Sequence, residues 1–394
     1  MTSRRKLIIG AAMALAATVS TQIPSAHAAL TDLTGNYNIS TFASPFTVPG
    51  LNQHIIPGAS DMVSAPDDIA VTGNNVYIGW GDNVASDGGD GGQSVVAQYS
   101  LSGQLQSYYT VTGHVEGLAM GAGGMLYTDE NEDGNSALTV IDTATGGEIR
   151  YGYPNPSVHG GGFDGLQYIN GNLYASGSNP DNGGDSPTQV NSHPVIYQVT
   201  ADPNSYPHTA TAMGILWGND PATNKATGSP MTLNVFDPDS LNQTPTGDLL
   251  LSNESGASLT DVANPGTTSQ TVTSLSLYSP NGSPVNTDDT GFATSTNGTL
   301  LVADVKNNTV YAITAKNGFT LNQAFSSDKT NQSLDMLNFS TGLETPIITG
   351  FGGPAGIGFI PDPAATPEPA AISLMGIGAA MLLIPGRKSR RGTK

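Results

Sequence analysis

Between Ala29 and Pro363 the chain repeats one short β-forming pattern and offers no long run of apolar residues at helical spacing. This recurrence limits the fold more than any other feature, because a repeated unit with an apolar face must bury it against its neighbours. Each copy opens with small residues and an apolar pair, passes through a polar turn, enters a β run and ends in an acidic or Asn-rich loop. The first copy is Pro66-Asp67-Asp68-Ile69-Ala70-Val71, then the turn Gly73-Asn74-Asn75 and the run Val76 to Ile78. The second is Val115-Glu116-Gly117-Leu118-Ala119-Met120, then Gly123-Gly124 and Met125 to Tyr127. The third is Phe163-Asp164-Gly165-Leu166, then Asn170-Gly171-Asn172 and Leu173 to Ala175. A weaker fourth is Asp237-Pro238-Asp239-Ser240-Leu241, then Thr246-Gly247-Asp248 and Leu249 to Ser252. The fifth is Gly291-Phe292-Ala293, then Asn297-Gly298 and Leu300 to Ala303; a sixth opens at Gly353-Pro354-Ala355-Gly356-Ile357-Gly358.

Most copies begin about 50 residues apart, the size of a four-stranded blade. Small residues suit a crowded inner strand, and neighbouring blades cover each other's apolar faces. The expected fold is all-β: a six-bladed β-propeller-like domain over residues 29–363. Too little chain follows Ile360 to complete a sheet, so strands within Gly35 to Val48 are expected to finish it. A large β-sandwich or β-helix is the competing architecture. The openings Pro354-Ala355-Gly356-Ile357-Gly358 and Leu300-Leu301-Val302-Ala303-Asp304 resemble those of NHL-repeat and regucalcin/gluconolactonase-like β-propellers.

The two ends read as addresses. Arg4, Arg5 and Lys6, an apolar run from Leu7 to Val19 and Ala26-His27-Ala28 form a signal peptide over residues 1–28, with an N-terminal signal helix. At the other end, Pro367-Glu368-Pro369 precedes an apolar stretch from Ala371 to Pro385 and the basic cluster Arg387-Lys388-Ser389-Arg390-Arg391. The stretch would reach about 24 Å as a helix, enough to insert with some bilayer thinning. Residues 364–394 resemble a PEP-CTERM sorting tail with a transmembrane helix. That resemblance implies processing by an exosortase near Pro367, Glu368 and Pro369, and an association with exopolysaccharide production. The expected location is outside the cytoplasm: the periplasmic face of the inner membrane, or the cell surface after sorting.

Of 13 Lys and Arg, only Arg150, Lys225, Lys306, Lys316 and Lys329 lie in the body, against all of the 32 acidic residues but Glu368. Such a field repels nucleic acid and favours cations. No cysteine is present, so an exported body rests on its core alone.

Asp129, Asn131 and Asp133, with Gly134, match the first half of a calcium loop, although Val140 stands at the expected Glu position. The alternative is a solvated connection. Asp82, Asp87 and Asp90, and the run Asp181-Asn182-Gly183-Gly184-Asp185, form weaker clusters of the same kind. Lactonase-type propellers hold a divalent metal in their channel through Glu, Asn and Asp, and the resemblance marks Glu116, Asn253 and Asp304 here; Leu118 stands where a Pro usually follows the Glu-Gly pair. His159-Gly160-Gly161-Gly162 matches an esterase oxyanion tetrapeptide, but no Gly-x-Ser-x-Gly elbow accompanies it. Tyr77, Tyr127 and Tyr174 recur at equivalent strand positions, as packing residues would, and Trp80 and Trp217 are too few for a sugar platform. The expected function is binding or envelope organisation, with a polysaccharide or surface protein as partner and Ca2+ as the ion. The alternative is a divalent-metal hydrolase of lactones or esters.

Overall fold

The computed structural model describes residues 29–51, 61–153, 161–178 and 190–362. The signal segment, the sorting tail with Pro367, Glu368 and Pro369, His159-Gly160 and the 181–185 cluster lie outside the described residues. Among the described residues the fold is all-β, and no helix is long and apolar enough to cross a membrane.

The first sheet is an antiparallel meander of Pro66–Val71, Asn75–Trp80, Gln93–Ser100 and Leu105–Thr112. An eight-stranded sheet follows. One half holds Val115–Met120, Met125–Glu130, Ala137–Asp142 and Gly147–Gly152. The other holds Phe163–Ile169, Asn172–Gly177, Pro194–Asp202 and Thr209–Trp217. A single parallel pair, Gly152 with Thr209, joins the halves at their outer strands. The Asn170-Gly171 hairpin takes positive φ at both residues, 52° and 85°, which is the twist that a two-residue turn between antiparallel strands requires.

The third sheet contains Pro238–Gln243, Leu249–Asn253, Ser258–Ala263 and Thr271–Ser276, and the hairpin Pro221–Asn224/Pro230–Thr232 extends its outer edge. The fourth contains Thr287–Phe292, Ala324–Asp328, Ser333–Asn338 and Leu343–Thr349, edged by Thr31–Asp32. The last contains Pro354–Pro361, Gly298–Asp304, Thr309–Ala315 and Tyr37–Ala43.

The innermost strands close a ring. Pro66–Val71 packs on Val115–Met120, and the contacts pass through Phe163–Ile169, Pro238–Gln243, Thr287–Phe292 and Pro354–Pro361 back to Pro66–Val71. A separate apolar cluster fills each gap: Trp80, Val95, Leu301 and Val310 lie between the first and last sheets, and Phe325, Leu334, Ile348 and Phe351 sit in the gap before the last. This is the propeller-like arrangement, in which each sheet shields the face of the next.

One repeat departs from expectation. Gly291-Phe292 and Leu300 to Ala303 were expected in one sheet, but Thr287–Phe292 pairs with Ala324–Asp328 whereas Gly298–Asp304 pairs with Pro354–Pro361. The final inner strand has no described chain beyond it to supply partners. The chain therefore visits the last sheet early, returns, and leaves Tyr37–Ala43 to pair with Thr309–Ala315 on the outside.

Candidate metal centre

Every innermost strand carries a register shift at the same place. The antiparallel ladder skips between Pro66 and Ile69, Val115 and Leu118, Phe163 and Leu166, Pro238 and Leu241, and Thr287 and Thr290. The strand Pro354–Pro361 breaks register across the same two residues, Ala355 and Gly356. Such a bulge re-aims a side chain that simple alternation would have placed elsewhere. The first residue of each shifted pair is Asp67, Glu116, Asp164, Asp239 or Asp288, with Ala355 in the remaining strand. These five carboxylates line one axial cavity of about 300 Å³.

The second residue of each pair is Asp68, Gly117, Gly165, Ser240, Asp289 or Gly356. Small residues are needed because the neighbouring inner strand is close: a Cβ on Gly117 would run into the Asp164 carbonyl oxygen. Where an Asp stands instead, its carboxylate ties adjacent strands. Leu118 N donates to Asp68 Oδ2 at 2.5 Å, and Ile357 N donates to Asp289 Oδ2 at 2.6 Å. Ser240 Oγ donates to the Asp288 carbonyl at 2.7 Å.

A second tier comes from the ends of the next strands outward. Glu132, Ser178, Glu254 and Lys329 follow those strands and reach the same cavity. Two groups of three carboxylates result, with ligand-capable oxygens within 4.8 Å of one another: Glu116, Glu132 and Asp164 on one side, and Asp239, Glu254 and Asp288 on the other. Lys329 Nζ pairs with Glu254 Oε2 at 3.0 Å and with Asp288 Oδ2, so the second group has its own counter-ion. Burial alone would lower the Lys329 pKa, but Asp288, Asp239 and Glu254 outweigh it and hold it above the ordinary lysine value.

Among the described residues no Lys or Arg pairs with the first group. His114 Nδ1 lies 3.2 Å from Glu116 Oε1, yet burial lowers the His114 pKa to about 4 and leaves the ring neutral near pH 7. Burial, then the charges of Glu132, Asp67 and Asp164, pushes Glu116 well above the ordinary range. Burial and Asp133 push Glu132 up to about 7, and burial and Glu132 raise Asp164 strongly. Burial and Asp288 push Asp67 up to about 6. Glu116 Oε1 and Asp239 Oδ2 are buried with no hydrogen-bond partner. An all-oxygen donor set, an orphaned carboxylate oxygen and no Lys or Arg paired with these acids among the described residues fit a hard divalent ion at Glu116, Glu132 and Asp164.

No family model matches the chain, and no curated protein matches it. Solved structures similar to it include a virginiamycin B lyase from Staphylococcus aureus, with TM-score 0.42 and 13% identity over 82% of this chain and 88% of that one. They also include a periplasmic gluconolactonase from Pseudomonas aeruginosa, with TM-score 0.43 and 12% identity over 85% of this chain and all of that one.

Of the residues singled out from sequence, Glu116 alone lines the cavity. Asn253 Oδ1 accepts from the backbone N of Phe236 and Asp237, and its amide donates to Ser258 Oγ, so it fastens a loop. Asp304 accepts from the backbone N of Asn307, Gly352 and Gly353. The structure does not bring either to Glu116. Nor do Asp129, Asn131 and Asp133 converge. Asp129 is buried in a strand and accepts from Tyr153 Oη at 3.0 Å; Asn131 Oδ1 accepts from His114 N at 2.8 Å; Asp133 is exposed. Asp87 and Asp90 each clamp a nearby backbone N–H, and Asp82 accepts from Ser64 N in the preceding connection. Tyr77 and Tyr174 are buried and Tyr127 stacks on Tyr168, as packing residues do.

Proposed function

We propose that this chain is an exported six-bladed propeller whose axial cavity holds a divalent cation and hydrolyses a lactone or related ester. The observation that carries the reading is the shared register shift, which turns five carboxylates from five strands into one cavity. A structural role alone gives no reason to concentrate desolvated like charges there.

Glu116, Glu132 and Asp164 would hold the ion. A hard cation at that seat supplies Lewis-acid polarisation of an ester carbonyl and a lowered pKa for its water. Asp67 stands beside Glu116 and shares a hydrogen bond with it; with a pKa of about 6 it is suited to take a proton near neutral pH. Lys329 pairs with Glu254 and Asp288 and so offsets part of the charge on the opposite wall. A second section of the channel, where Leu118, Leu166 and Phe359 stand beside Gln167, Asn242 and Gln243, would receive the rest of a polar substrate.

Titration of released acid across a panel of γ- and δ-lactones, with calcium or manganese added, tests this reading. Expected are metal-dependent turnover, its loss in E116Q, and a fall in kcat of about 100-fold in D67N at unchanged metal affinity. Metal binding without turnover of any lactone or aryl ester would leave the second reading: cation-dependent binding of a polysaccharide or surface protein. That reading draws on the polar and acidic lining of the cavity, which could hold a cation bridging to sugar hydroxyls.

The sequence signals at the two ends support export, exosortase processing at Pro367-Glu368-Pro369 and transient anchoring in the inner membrane. Cell fractionation of E368A checks this, with the uncut chain expected to accumulate in the inner membrane.

A further inference from the structure

A third group of acids lies away from the axial cavity, inside the sheet built on Thr287–Phe292. Asp328, Asp335 and Glu344 come from three adjacent strands, each 0% exposed. Their ligand-capable oxygens lie within 4.8 Å of one another. Among the described residues none of the three forms an ion pair with Lys, Arg or His. The adjacent Lys329 points to the axial cavity instead.

Four of the six carboxylate oxygens accept hydrogen bonds. Asn331 N donates to Asp328 Oδ1 at 2.8 Å, and Asn331 Nδ2 donates to Asp328 Oδ2 at 2.6 Å. Ser333 Oγ donates to Asp335 Oδ1 at 2.5 Å, and Thr287 Oγ1 donates to Glu344 Oε1 at 2.9 Å. The remaining oxygens of the two inner acids, Asp335 Oδ2 and Glu344 Oε2, are buried without a partner. Ser326, directly across the ladder from Asp335, is also 0% exposed, and its hydroxyl stabilises the charged form of Glu344 without a well-formed hydrogen bond. Asp335 Oδ2, on a carboxylate 0% exposed and with no donor facing it, points to something between these groups, since buried polar atoms without partners are rare.

We infer that Asp328, Asp335 and Glu344, with the Ser326 hydroxyl, form a calcium-type cation site that rivets this sheet. The donors are all oxygen, and ligands at about 2.3–2.6 Å from an ion stand up to about 5 Å apart, as these do. The site joins Ala324–Asp328, Ser333–Asn338 and Leu343–Thr349. Those strands belong to the sheet that the chain leaves and re-enters through Gly298–Asp304 and Thr309–Ala315. A cation there would hold together strands whose connection to their own inner strand is not local. The site is independent of the axial reading, because no residue is shared.

The experiment uses the full chain, stripped with EDTA and titrated with calcium chloride. Bound calcium is counted by elemental mass spectrometry, and amide hydrogen exchange is followed with and without the ion. Expected are calcium-dependent protection of residues 324–349 of at least tenfold, retained in E116Q, and one fewer calcium in D335N than in the parent. Unchanged exchange of 324–349 in the parent protein at millimolar calcium would overturn the site, and so would equal calcium counts in folded D335N and parent. If D335N does not fold, the exchange measurement on the parent decides alone. An E116Q calcium count equal to the parent's with 324–349 protected would fail the axial reading alone, and a lower E116Q count with 324–349 unprotected in the parent would fail this one alone.

Discussion

The two carboxylate triads that face each other in the axial cavity have the same number of acids and opposite electrostatic solutions. Asp239, Glu254 and Asp288 contain Lys329 among them, whereas Glu116, Glu132 and Asp164 pair with no Lys or Arg among the described residues and have a neutral histidine alongside. The backbone shows the same contrast. The small residue beside Glu116 is Gly117, pressed against Asp164, while the equivalent residue beside Asp239 is Ser240, whose hydroxyl is useful there. A wall that carries its counter-ion is complete in the protein alone. A wall that lacks one is built for an ion from solution, because desolvated like charges at this separation repel strongly.

The largest expected effect comes from the backbone contrast. G117A places a methyl group against the Asp164 carbonyl and should cost about 3 kcal/mol by forcing two inner strands apart. S240A removes a hydrogen bond without a clash and should cost about 1 kcal/mol. Chemical denaturation of both variants checks the ratio; equal costs would break the comparison.

Removing the lysine tests the charge contrast. K329M leaves the second triad uncompensated and should lower stability by about 2 kcal/mol, less than for a sealed pair because the lysine keeps 38% of its side chain exposed. The same variant should gain one divalent cation per chain, read by elemental mass spectrometry, since the second wall then resembles the first.

Proton linkage gives the next effect. Glu132 titrates at about 7 and Asp67 and Asp288 at about 6, all above the ordinary carboxylate range of about 4. Without metal the folded state keeps protons that the unfolded chain has released. Their stabilising contribution is therefore full below about pH 4 and is lost as pH rises through 6 to 7. In EDTA the melting temperature should fall by a few degrees between pH 5 and pH 7.5. Calcium should restore it at pH 7.5 and change it little at pH 5, where protons occupy the same oxygens.

The smallest effects differ in sign. E132Q relieves repulsion and should stabilise the metal-free chain by about 1 kcal/mol at pH 7.5 while weakening cation binding at least tenfold. E254Q takes an acceptor from Lys329 and should destabilise by about 0.5 kcal/mol. Thermal melts of the pair in EDTA check the opposite signs.

Much of the fold was legible because the repeats place their inner strands and hairpins locally. The openings at Pro66, Val115, Phe163 and Asp237 all become inner strands followed by their expected partners. The fifth repeat misled, because its opening and its next strand look local yet hydrogen-bond in different sheets. The acids at the openings were visible too, but their direction was not: alternation along a strand says nothing of a register shift, and that shift is what turns Asp67, Asp164, Asp239 and Asp288 inward. Glu132 shows the limit most clearly. It sits inside the stretch that resembles a calcium loop, between Asn131 and Asp133, and it is the member that reaches the cavity. The strand continues through Glu130, so the alternate oxygens of that stretch never share a loop. Lys329 and Glu254 arrive from turns of different sheets, a convergence that no spacing in the sequence encodes.

The central claim is that the wall without a lysine is the cation seat. An anomalous difference map from crystals of the protein grown with manganese chloride tests it most directly. The account predicts a peak bonded to Glu116, Glu132 and Asp164 and none between Asp239, Glu254 and Asp288. A peak beside Lys329 with the first triad empty would contradict it.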